Sequence, residues 1–344
     1  ARTTTMPAPP RRSMNAFAEV VICGAGIAGI SLAHELARRR GVRNIVVIDE
    51  RPPLSLTSDK SSEAYRNWWP GPDNAMIRLM NRSIDLMEEL SDACDNRFLM
   101  NRRGYAYATA DPTRAENYRR DGERASAQGA GELRVHEVGG NHLAYRPHQP
   151  QGWRGGPGGA DLILDQGLIG RSFPYLGGDV HAVLHTRRCG WFSGQQLGME
   201  QLDRARQAGV GLLSGSISEV EVTGGRVGSV RVQTGGDAFQ ISTRCFVKAA
   251  GPMLHKTGRL VGVKRPVFSE LHVKMSFKDH LGVVPRDAPL LIWEDPQYLE
   301  WSDEEREQLA EADDTRWLLA QMPAGVHMRP EGREHAIILW PYHV

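Results

Sequence analysis

The sequence predicts an α/β fold, and three stretches near the N-terminus carry that prediction. Residues 18–23 are apolar except for Glu19, and three of them are β-branched, which is typical of a strand in the middle of a parallel sheet. Residues 27–40 repeat apolar side chains at helical spacing, and residues 45–48 form a second apolar run. A strand, a helix and a second strand within about thirty residues make a βαβ unit.

The turn between the first strand and the helix is rich in glycine. Its sequence, Gly24-Ala25-Gly26-Ile27-Ala28-Gly29, matches GxGxxG directly after a strand and at the start of a helix. The first glycine permits the tight turn, the second lets a pyrophosphate approach the backbone, and the third lets helix and strand pack closely. The helix N-terminus adds unpaired N–H groups and a positive dipole end. The motif predicts a dinucleotide site, and a tight turn in another α/β fold is the alternative.

Two acidic residues follow at the end of the second strand. A carboxylate at this position can accept both ribose hydroxyls of an adenosine and disfavours the extra phosphate of NADP. Side chains alternate along a strand, so only one of the pair is expected to face the ribose. Of Asp49 and Glu50, Asp49 is preferred because it comes directly after Ile48, and Arg51 is included among the predicted contacts.

Further elements are predicted along the chain from the same patterns. Helical spacing predicts helices over 73–91, 195–208 and, with a capping-box start, 302–320. Strands are predicted over 210–213, 219–222, 228–233, 238–242, 245–249, 272–277, 289–293 and 336–340. Residues 110–160 are polar and poor in aliphatic side chains, so a mobile surface insertion is expected there.

Composition argues against several classes of protein. Asp and Glu total 41 and Lys and Arg total 42, so there is no electrostatic case for binding nucleic acid. No apolar stretch is long enough for a membrane span. The four cysteines form no CxxC pair, so no metal site is indicated and a cytoplasmic location is expected. Residues 1–17 predict a flexible tail, with an organelle transit peptide as the alternative.

Three further stretches accompany the βαβ unit that ends at Asp49. They are Thr57-Ser58-Asp59-Lys60-Ser61-Ser62 ahead of Tyr65-Arg66-Asn67, then Ala208-Gly209-Val210 through Gly215-Ser216-Ile217, and Val247-Lys248-Ala249-Ala250-Gly251-Pro252. In order and spacing, over residues 18–280, these stretches resemble the D-amino-acid oxidase superfamily of FAD-dependent oxidoreductases. That family includes sarcosine oxidase, glycine oxidase and dimethylglycine dehydrogenase.

The resemblance implies a Rossmann-like FAD-binding domain of the glutathione-reductase type and a second, sheet-based substrate domain. The FAD-binding domain is expected to be discontinuous, over 18–90 and 195–262, and the substrate domain to take 91–194 and 263–344. Besides the glycine-rich turn and residues 49–51, the resemblance implies FAD contacts from Thr57, Ser58, Lys60, Ser61, Ser62, Ile217, Ala250 and Gly251.

The resemblance also implies an enzyme that oxidises the C–N bond of an amino acid or secondary amine by hydride transfer to flavin. A hydroxy-acid or polyol dehydrogenase is one alternative, and a non-catalytic FAD-binding subunit or truncated fragment is another. The family returns to its FAD domain through a C-terminal glycine-rich strand and helix, and no such segment precedes Val344. That segment is therefore expected to be absent, and a homo-oligomer stays open.

Three residues are candidates for catalysis or substrate binding. Arg66 matches a family position, and its planar fork suits a carboxylate, with a surface arginine as the alternative. Tyr65 could wall the flavin or the substrate, with core packing as the alternative. His272 shares one face of a predicted strand with Lys274, and in this family that sheet covers the flavin.

Overall fold

The computed structural model of the chain describes residues 16–140, 144–270 and 272–340. The predicted flexible tail therefore lies outside the described residues, except for residues 16 and 17, which form a short strand. The strands in chain order are β1 Ala16–Phe17, β2 Val20–Cys23, β3 Ile45–Asp49, β4 Ala64–Arg66, β5 Tyr105–Thr109, β6 Leu133–His136, β7 Ala160–Ile163, β8 Ala182–Thr186, β9 Cys189–Trp191, β10 Gly211–Ser214, β11 Ser216–Thr223, β12 Arg226–Thr234, β13 Asp237–Ser242, β14 Cys245–Lys248, β15 Lys274–Lys278, β16 Leu290–Trp293, β17 Val326–Glu331 and β18 His335–Leu339.

The α-helices are α1 Ile27–Arg38, α2 Ala75–Ala93, α3 Pro112–Ala125, α4 Gln166–Ser172, α5 Gly194–Gln207, α6 Leu254–Arg259 and α7 Asp303–Glu311. Shorter helical turns cover Ser126–Ala130, Gly251–Met253 and Arg316–Leu319. No helix in the part of the chain that the structure describes is long and apolar enough to cross a bilayer.

The chain folds into two compact units. Unit 1 contains residues 16–61 and Gly194–Ser269, and unit 2 contains Ser62–Ser193 and residues 270–340. Residues 62–90, which were predicted to belong to the FAD-binding domain, are part of unit 2 in the structure. The reason is that Ile77 of α2 is fully buried in the same core as Tyr105 and Leu162 of unit 2. Helical spacing shows which face of a helix is buried but not which sheet covers it.

Unit 1 is built on a parallel sheet of strand order β10-β3-β2-β14. Its central strand β2 consists of Val20, Val21, Ile22 and Cys23, and the first three side chains are buried, as expected for a strand covered on both faces. Helices α1 and α5 pack together, and Ala33 and Ala205 contribute to one core with Val47. A second sheet, β1-β13-β12-β11, contains the predicted antiparallel strands. The predicted α/β fold class is confirmed.

Unit 2 is built on a mixed sheet of strand order β15-β18-β17-β16-β5-β8-β7-β6. Strands β16 and β5 pair in parallel, whereas β17 and β18 add to them as antiparallel strands. A separate two-stranded sheet joins β4 to β9, with Tyr65 opposite Gly190. This small sheet matters for function because it positions Arg66.

The prediction of a mobile insertion over 110–160 is wrong for residues 112–136, which are ordered parts of unit 2. They form α3 and β6, and Ala115 and Tyr118 are buried in the core of unit 2. The buried face of α3 consists of alanine, glycine and tyrosine, so a search for aliphatic side chains at helical spacing does not detect it.

The predicted helix over 302–320 is divided in the structure. Its capping box is present, since the Ser302 hydroxyl accepts from the Glu305 backbone and the Glu305 carboxylate accepts from the Ser302 backbone. The helix ends at Glu311, where Ala312 adopts an extended conformation, and a separate turn follows at Arg316–Leu319.

Candidate cofactor and substrate sites

The glycine-rich turn of unit 1 has the close backbone packing that its motif predicts. Gly24 adopts φ +114°, and a Cβ there would lie 2.4 Å from the carbonyl oxygen of Ala249. A Cβ on Gly29 would lie 1.9 Å from the carbonyl oxygen of Gly24, because α1 passes directly over the end of β2. Neither position can hold a side chain without moving backbone.

The start of α1 is held by the serine-rich loop. Gly26 is the N-cap residue and has no capping side chain, and the Ile27 N–H donates to the Ser58 hydroxyl at 3.0 Å. A Cβ on Gly26 would lie 3.2 Å from that hydroxyl oxygen. The bare glycine therefore leaves room above the helix N-terminus, where backbone N–H groups favour a phosphate.

The structure separates the roles of the two acidic residues after β3. One carboxylate oxygen of Asp49 accepts from the Ala25 N–H at 2.7 Å, and the other accepts from the Arg51 N–H at 2.9 Å. Asp49 therefore fixes the glycine-rich turn. Glu50 lines the same cavity and has no hydrogen-bond or ion-pair partner among the described residues, which makes it the better candidate for the ribose hydroxyls.

These elements enclose a cavity of about 250 Å³ in unit 1, which we call the cofactor cavity. Most residues predicted to contact the cofactor line it, namely Gly24, Gly26, Ile27, Ala28, Asp49, Glu50, Arg51, Thr57, Ser58, Ile217, Ala250 and Gly251. The sequence motifs thus converge on one site, although they are more than 200 positions apart.

Four of the predicted cofactor contacts do not line this cavity. Gly29 is buried and serves packing. The Lys60 side chain is 74% exposed, and its ammonium pairs with Asp59. Ser61 is exposed, and Ser62 belongs to unit 2, where its carbonyl oxygen accepts from Arg329.

The cofactor cavity also has lining residues that the sequence analysis did not assign. They include Cys23, Leu54, Ser216, Met253, Lys256 and Leu260. Lys256 adds a positive charge to the cavity. In the sequence, its position as a cavity residue is indicated only by its place in α6, shortly after the Ala-Gly-Pro turn. Burial, reinforced by Asp49 and Glu50, raises the pKa of the Cys23 thiol to about 11, so Cys23 remains a neutral thiol.

The cofactor cavity fits the chemistry of FAD. Glu50 supplies a carboxylate for the adenosine ribose, and the bare turn at Gly24 and Gly26 leaves space for a pyrophosphate at the start of α1. Ile217 supplies an apolar wall, and Arg51 and Lys256 supply positive charge. FAD would be held by these groups and would supply the redox chemistry.

Unit 2 contains a cavity of a different kind, about 260 Å³ in volume, which we call the substrate cavity. Most of the residues that line it are apolar or aromatic, and the lining also includes two arginines and one histidine. The lining residues are Ser62, Ala64, Tyr65, Arg66, Trp69, Met80, Tyr105, Leu290, His327, Met328, Arg329, Ile337 and Leu339.

Arg66 brings a charge to this cavity without a carboxylate partner. Its guanidinium lies over the Trp69 ring at 4.2 Å and donates to the Tyr107 hydroxyl at 2.8 Å. Among the residues described, it forms no ion pair. Burial disfavours its charge, but Tyr107 and Tyr105 more than offset this effect, and the pKa of Arg66 lies above its ordinary value. Arg66 is thus a fixed cation available to an anionic group.

The second arginine, Arg329, is already engaged. Its guanidinium is 2% exposed, pairs with Glu331 and Glu63, and donates to the Ser62 carbonyl oxygen at 3.0 Å. These contacts connect β17 to the segment that leads into β4. Arg329 therefore supports the wall of the substrate cavity.

Tyr65 has a structural role in this arrangement. Its ring is buried and its hydroxyl donates to the Asn101 carbonyl oxygen at 2.7 Å. Burial raises the pKa of this phenol well above its ordinary value, so Tyr65 stays neutral. It contributes ring surface to the substrate cavity, which agrees with the core-packing alternative.

His327 is a candidate that the sequence analysis did not identify. It lies on β17, lines the substrate cavity, and its Nδ1 contacts the Gly325 carbonyl oxygen. This contact requires the proton on Nδ1, so Nε2 is left as an acceptor. Burial is the main reason that the pKa of His327 is lowered, with a smaller contribution from the Arg66 charge.

His272 does not belong to the substrate cavity. It precedes β15, its side chain is about half exposed, and its Nε2 lies 4.0 Å from the Glu270 carboxylate. Lys274 begins β15 and is also outside the cavity lining. The catalytic role of His272 stays a prediction. Within the described ranges there is no cluster of side chains that could hold a metal ion.

Comparison with known proteins places the chain in a family. A family model described as FAD dependent oxidoreductase, DAO, matches residues 19–315. A search of curated protein sequences gave no match. Among solved structures, L-proline dehydrogenase from P. horikoshii is similar, with 17% identity, a TM-score of 0.68 and coverage of 96% of this chain and 71% of that chain.

Two oxidases are similar to about the same degree. Glycine oxidase from Bacillus cereus ATCC 14579 has 12% identity and a TM-score of 0.65, over 95% of this chain and 74% of that chain. Iminodiacetate oxidase from Chelativorans sp. BNC1 has 18% identity and a TM-score of 0.64, over 93% and 70%. The predicted resemblance is confirmed. The chain belongs to the DAO family of FAD-dependent oxidoreductases and is an enzyme that uses FAD.

Proposed function

We propose that this flavoenzyme oxidises the C–N bond of an amino acid that has an apolar side chain. The observation that carries the proposal is Arg66, a fixed guanidinium without a carboxylate partner in the described structure, at a cavity lined mainly by apolar groups. A planar guanidinium binds a carboxylate through two parallel hydrogen bonds, and partial burial strengthens them.

The rest of the substrate cavity supports a substrate amino acid with an apolar side chain. A substrate bound to Arg66 through its carboxylate would place its other groups against apolar and aromatic surface. That surface consists of Trp69, Met80, Tyr105, Leu290, Met328, Ile337 and Leu339. A charged side chain would lose its hydration there without gaining a partner, whereas an aliphatic or aromatic one would bury apolar area.

His327 is proposed to accept the proton of the substrate amine. An amino acid binds as an ammonium, and the nitrogen must become neutral before its lone pair can assist loss of hydride from the α-carbon. The Nε2 of His327 is an acceptor without a partner among the described residues, and its lowered pKa keeps it neutral near pH 7. FAD, when bound, accepts the hydride equivalent, and water then hydrolyses the resulting imine.

The names of the similar structures agree with this proposal. Proline, glycine and iminodiacetate are each compounds in which a carboxylate-bearing carbon carries the nitrogen. The likeness to those structures is one of fold, so the substrate assignment depends on Arg66 and the cavity lining.

An anaerobic titration of the FAD-loaded protein tests the proposal. We expect the flavin absorbance to bleach with leucine or phenylalanine, offered as each enantiomer, and ammonia to be released in proportion. The 2-hydroxy acids of the same side chains serve as matched controls and should leave the flavin oxidised. Bleaching by the hydroxy acids alone would support the dehydrogenase alternative, and no bleaching by either class would support a non-catalytic role.

The role of His327 predicts a pH dependence. Its pKa lies below the ordinary value of about 6.5, so the neutral form persists at pH 7 and is lost only as the pH falls through the lowered pKa. The rate of flavin reduction should decline on that acid side. His327→Asn should slow reduction by about 100-fold or more and remove the acid limb.

His335→Asn is the matched control for this test. His335 is an exposed histidine on the neighbouring strand β18, where it is paired with Glu331. Its replacement should leave both the rate and the acid limb unchanged. A His327→Asn protein that keeps the acid limb would exclude His327 as the proton acceptor.

A further inference from the structure

Unit 2 contains another cleft, of about 240 Å³, whose lining differs sharply from that of the substrate cavity. We call it the arginine cleft. It shares no lining residue with the substrate cavity, and no carboxylate from the described residues lines it. Its lining is Arg102, Arg146, Pro147, His148, Gln149, Gly152, Trp153, Arg154, Gly155, Gly156, Pro157 and Arg187.

Arg187 forms a rigid, buried part of the cleft wall. It is 2% exposed, and its Nη1 donates to the Asp161 carboxylate at 3.1 Å and to His185 Nδ1 at 3.0 Å. Its Nη2 donates to the Arg146 carbonyl oxygen at 2.8 Å. The same guanidinium therefore fixes the backbone that carries Arg146.

Positive charge exceeds negative charge around the cleft. Arg102 lies 3.8 Å from Glu88, but Glu88 also pairs with Arg188 at 3.2 Å. Arg154 pairs with Asp92 at the surface. Arg146 forms no ion pair with any described residue, so at least one guanidinium is uncompensated.

Two buried nitrogens of the lining have no hydrogen-bond partner in the described structure. One is the Nε of Arg102, a donor, and the other is the Nδ1 of His148. The Nε2 of His148 contacts the Asp287 carbonyl oxygen and so carries the proton, which leaves Nδ1 as an acceptor. A hydrogen phosphate carries both acceptor oxygens and a hydroxyl, so it can pair with an arginine donor and with a histidine acceptor.

The glycine-rich loop keeps these groups in place. The Arg102 N–H donates to the Gly152 carbonyl oxygen at 3.0 Å, and the Trp153 indole N–H donates to the Ser91 hydroxyl at 2.8 Å. A Cβ on Gly156 would lie 3.3 Å from Cδ of Arg102. The loop thus packs closely against the arginine side chain, and glycine at this position leaves room for that contact.

We propose that the arginine cleft binds a phosphate group, as inorganic phosphate or as the monoester of a small molecule. Arg146, which forms no ion pair with a described residue, is the main source of charge-assisted donors, which are the strongest hydrogen bonds to an oxyanion. The site is separate in its residues from both the cofactor cavity and the substrate cavity. Phosphate binding and amine oxidation can therefore be tested independently.

Isothermal titration calorimetry on the FAD-saturated full chain tests this proposal, with inorganic phosphate and phenyl phosphate as the probes. FAD saturation fills the pyrophosphate position of the cofactor cavity, and chloride keeps the ionic strength constant. We expect saturable binding of at least one probe. Arg146→Gln and Arg154→Gln should each weaken it about tenfold or more.

Arg171→Gln is the matched control, because Arg171 is an exposed arginine of α4 that does not line the cleft. The affinity of the Arg171→Gln protein for phosphate should equal that of the unmodified chain. Flavin absorbance and thermal unfolding confirm that each variant is folded. Absence of saturable binding, or equal affinity in all three variants, would overturn the proposal. Tighter binding of phenyl phosphate would identify a monoester, and tighter binding of inorganic phosphate would identify the free ion.

Discussion

Replacing Gly29 or Gly24 with alanine is expected to prevent unit 1 from forming a stable FAD complex. The added Cβ would lie 1.9 Å from the Gly24 carbonyl oxygen in the first case and 2.4 Å from the Ala249 carbonyl oxygen in the second. Both obstacles are backbone atoms, which cannot rotate away as a flexible side chain can. Gly24 also has φ +114°, a conformation that is costly for alanine.

The expected loss of stability is large for a single methyl group. Strained φ costs about 1–3 kcal/mol and overpacking costs about 1–3 kcal/mol, so Gly24→Ala should lose roughly 2–6 kcal/mol. Gly29→Ala lacks the φ penalty but has the closer contact. Thermal unfolding and the flavin-to-protein absorbance ratio measure the two consequences.

Two other glycines provide the controls. A Cβ on Gly26 would meet only the Ser58 hydroxyl at 3.2 Å, so Gly26→Ala should fold and lose FAD affinity alone. Gly170 lies in α4, and a Cβ there would meet no atom within 4 Å apart from its chain neighbours and the backbone of its own helix, so Gly170→Ala should retain full stability and FAD content. Normal flavin content in Gly29→Ala and Gly24→Ala would mean that the turn tolerates displacement of its backbone.

Replacing Arg66 with glutamine should reduce kcat/KM for the amino acid far more than for the corresponding amine without a carboxylate. Removing one partner of a partly buried, hydrogen-bonded charge pair costs about 2–5 kcal/mol. At about 1.4 kcal/mol per tenfold change, this corresponds to roughly 30-fold to several thousand-fold. The amine cannot use Arg66, so its kcat/KM should change little.

Two further variants separate charge from geometry. Arg66→Lys keeps the charge but loses the planar fork, so it should recover only part of the lost kcat/KM. Arg171→Gln removes an exposed arginine and should have no effect. Steady-state kinetics give kcat/KM of each variant for the amino acid and for the amine. Thermal unfolding shows whether loss of the hydrogen bond to Tyr107 destabilises the protein. An equal loss for both substrates would exclude carboxylate binding by Arg66.

The cofactor cavity was largely predictable from the sequence because its motifs make strict local demands. The turn at Gly24 to Gly29 must follow a strand and begin a helix, and both neighbouring elements have clear apolar patterns. Asp49 was the preferred ribose contact in the sequence, whereas Glu50 is the carboxylate that lines the cavity without a partner among the described residues. This difference depends on two backbone N–H groups, of Ala25 and Arg51, which bind Asp49 and so free Glu50.

The substrate cavity was much less predictable, since its parts are distant in the chain. Arg66 was identified, but His327 and Arg329 lie on β17, for which the sequence analysis gave no element. Arg329 and Ser62 are 267 positions apart and meet only through the sheet of unit 2. Periodicity describes one element at a time, so pairings of this kind appear only in the folded chain.

The contacts of Asp49 and Ser58 with the glycine-rich turn have a kinetic consequence. Asp49 holds the Ala25 and Arg51 N–H groups, and Ser58 holds the Ile27 N–H. All these bonds are internal to the protein, so we expect both loops to be ordered before FAD binds. Association of FAD then requires little further loss of conformational entropy. Uptake by the folded apoprotein should therefore be a single concentration-dependent phase, without a slow rearrangement after encounter.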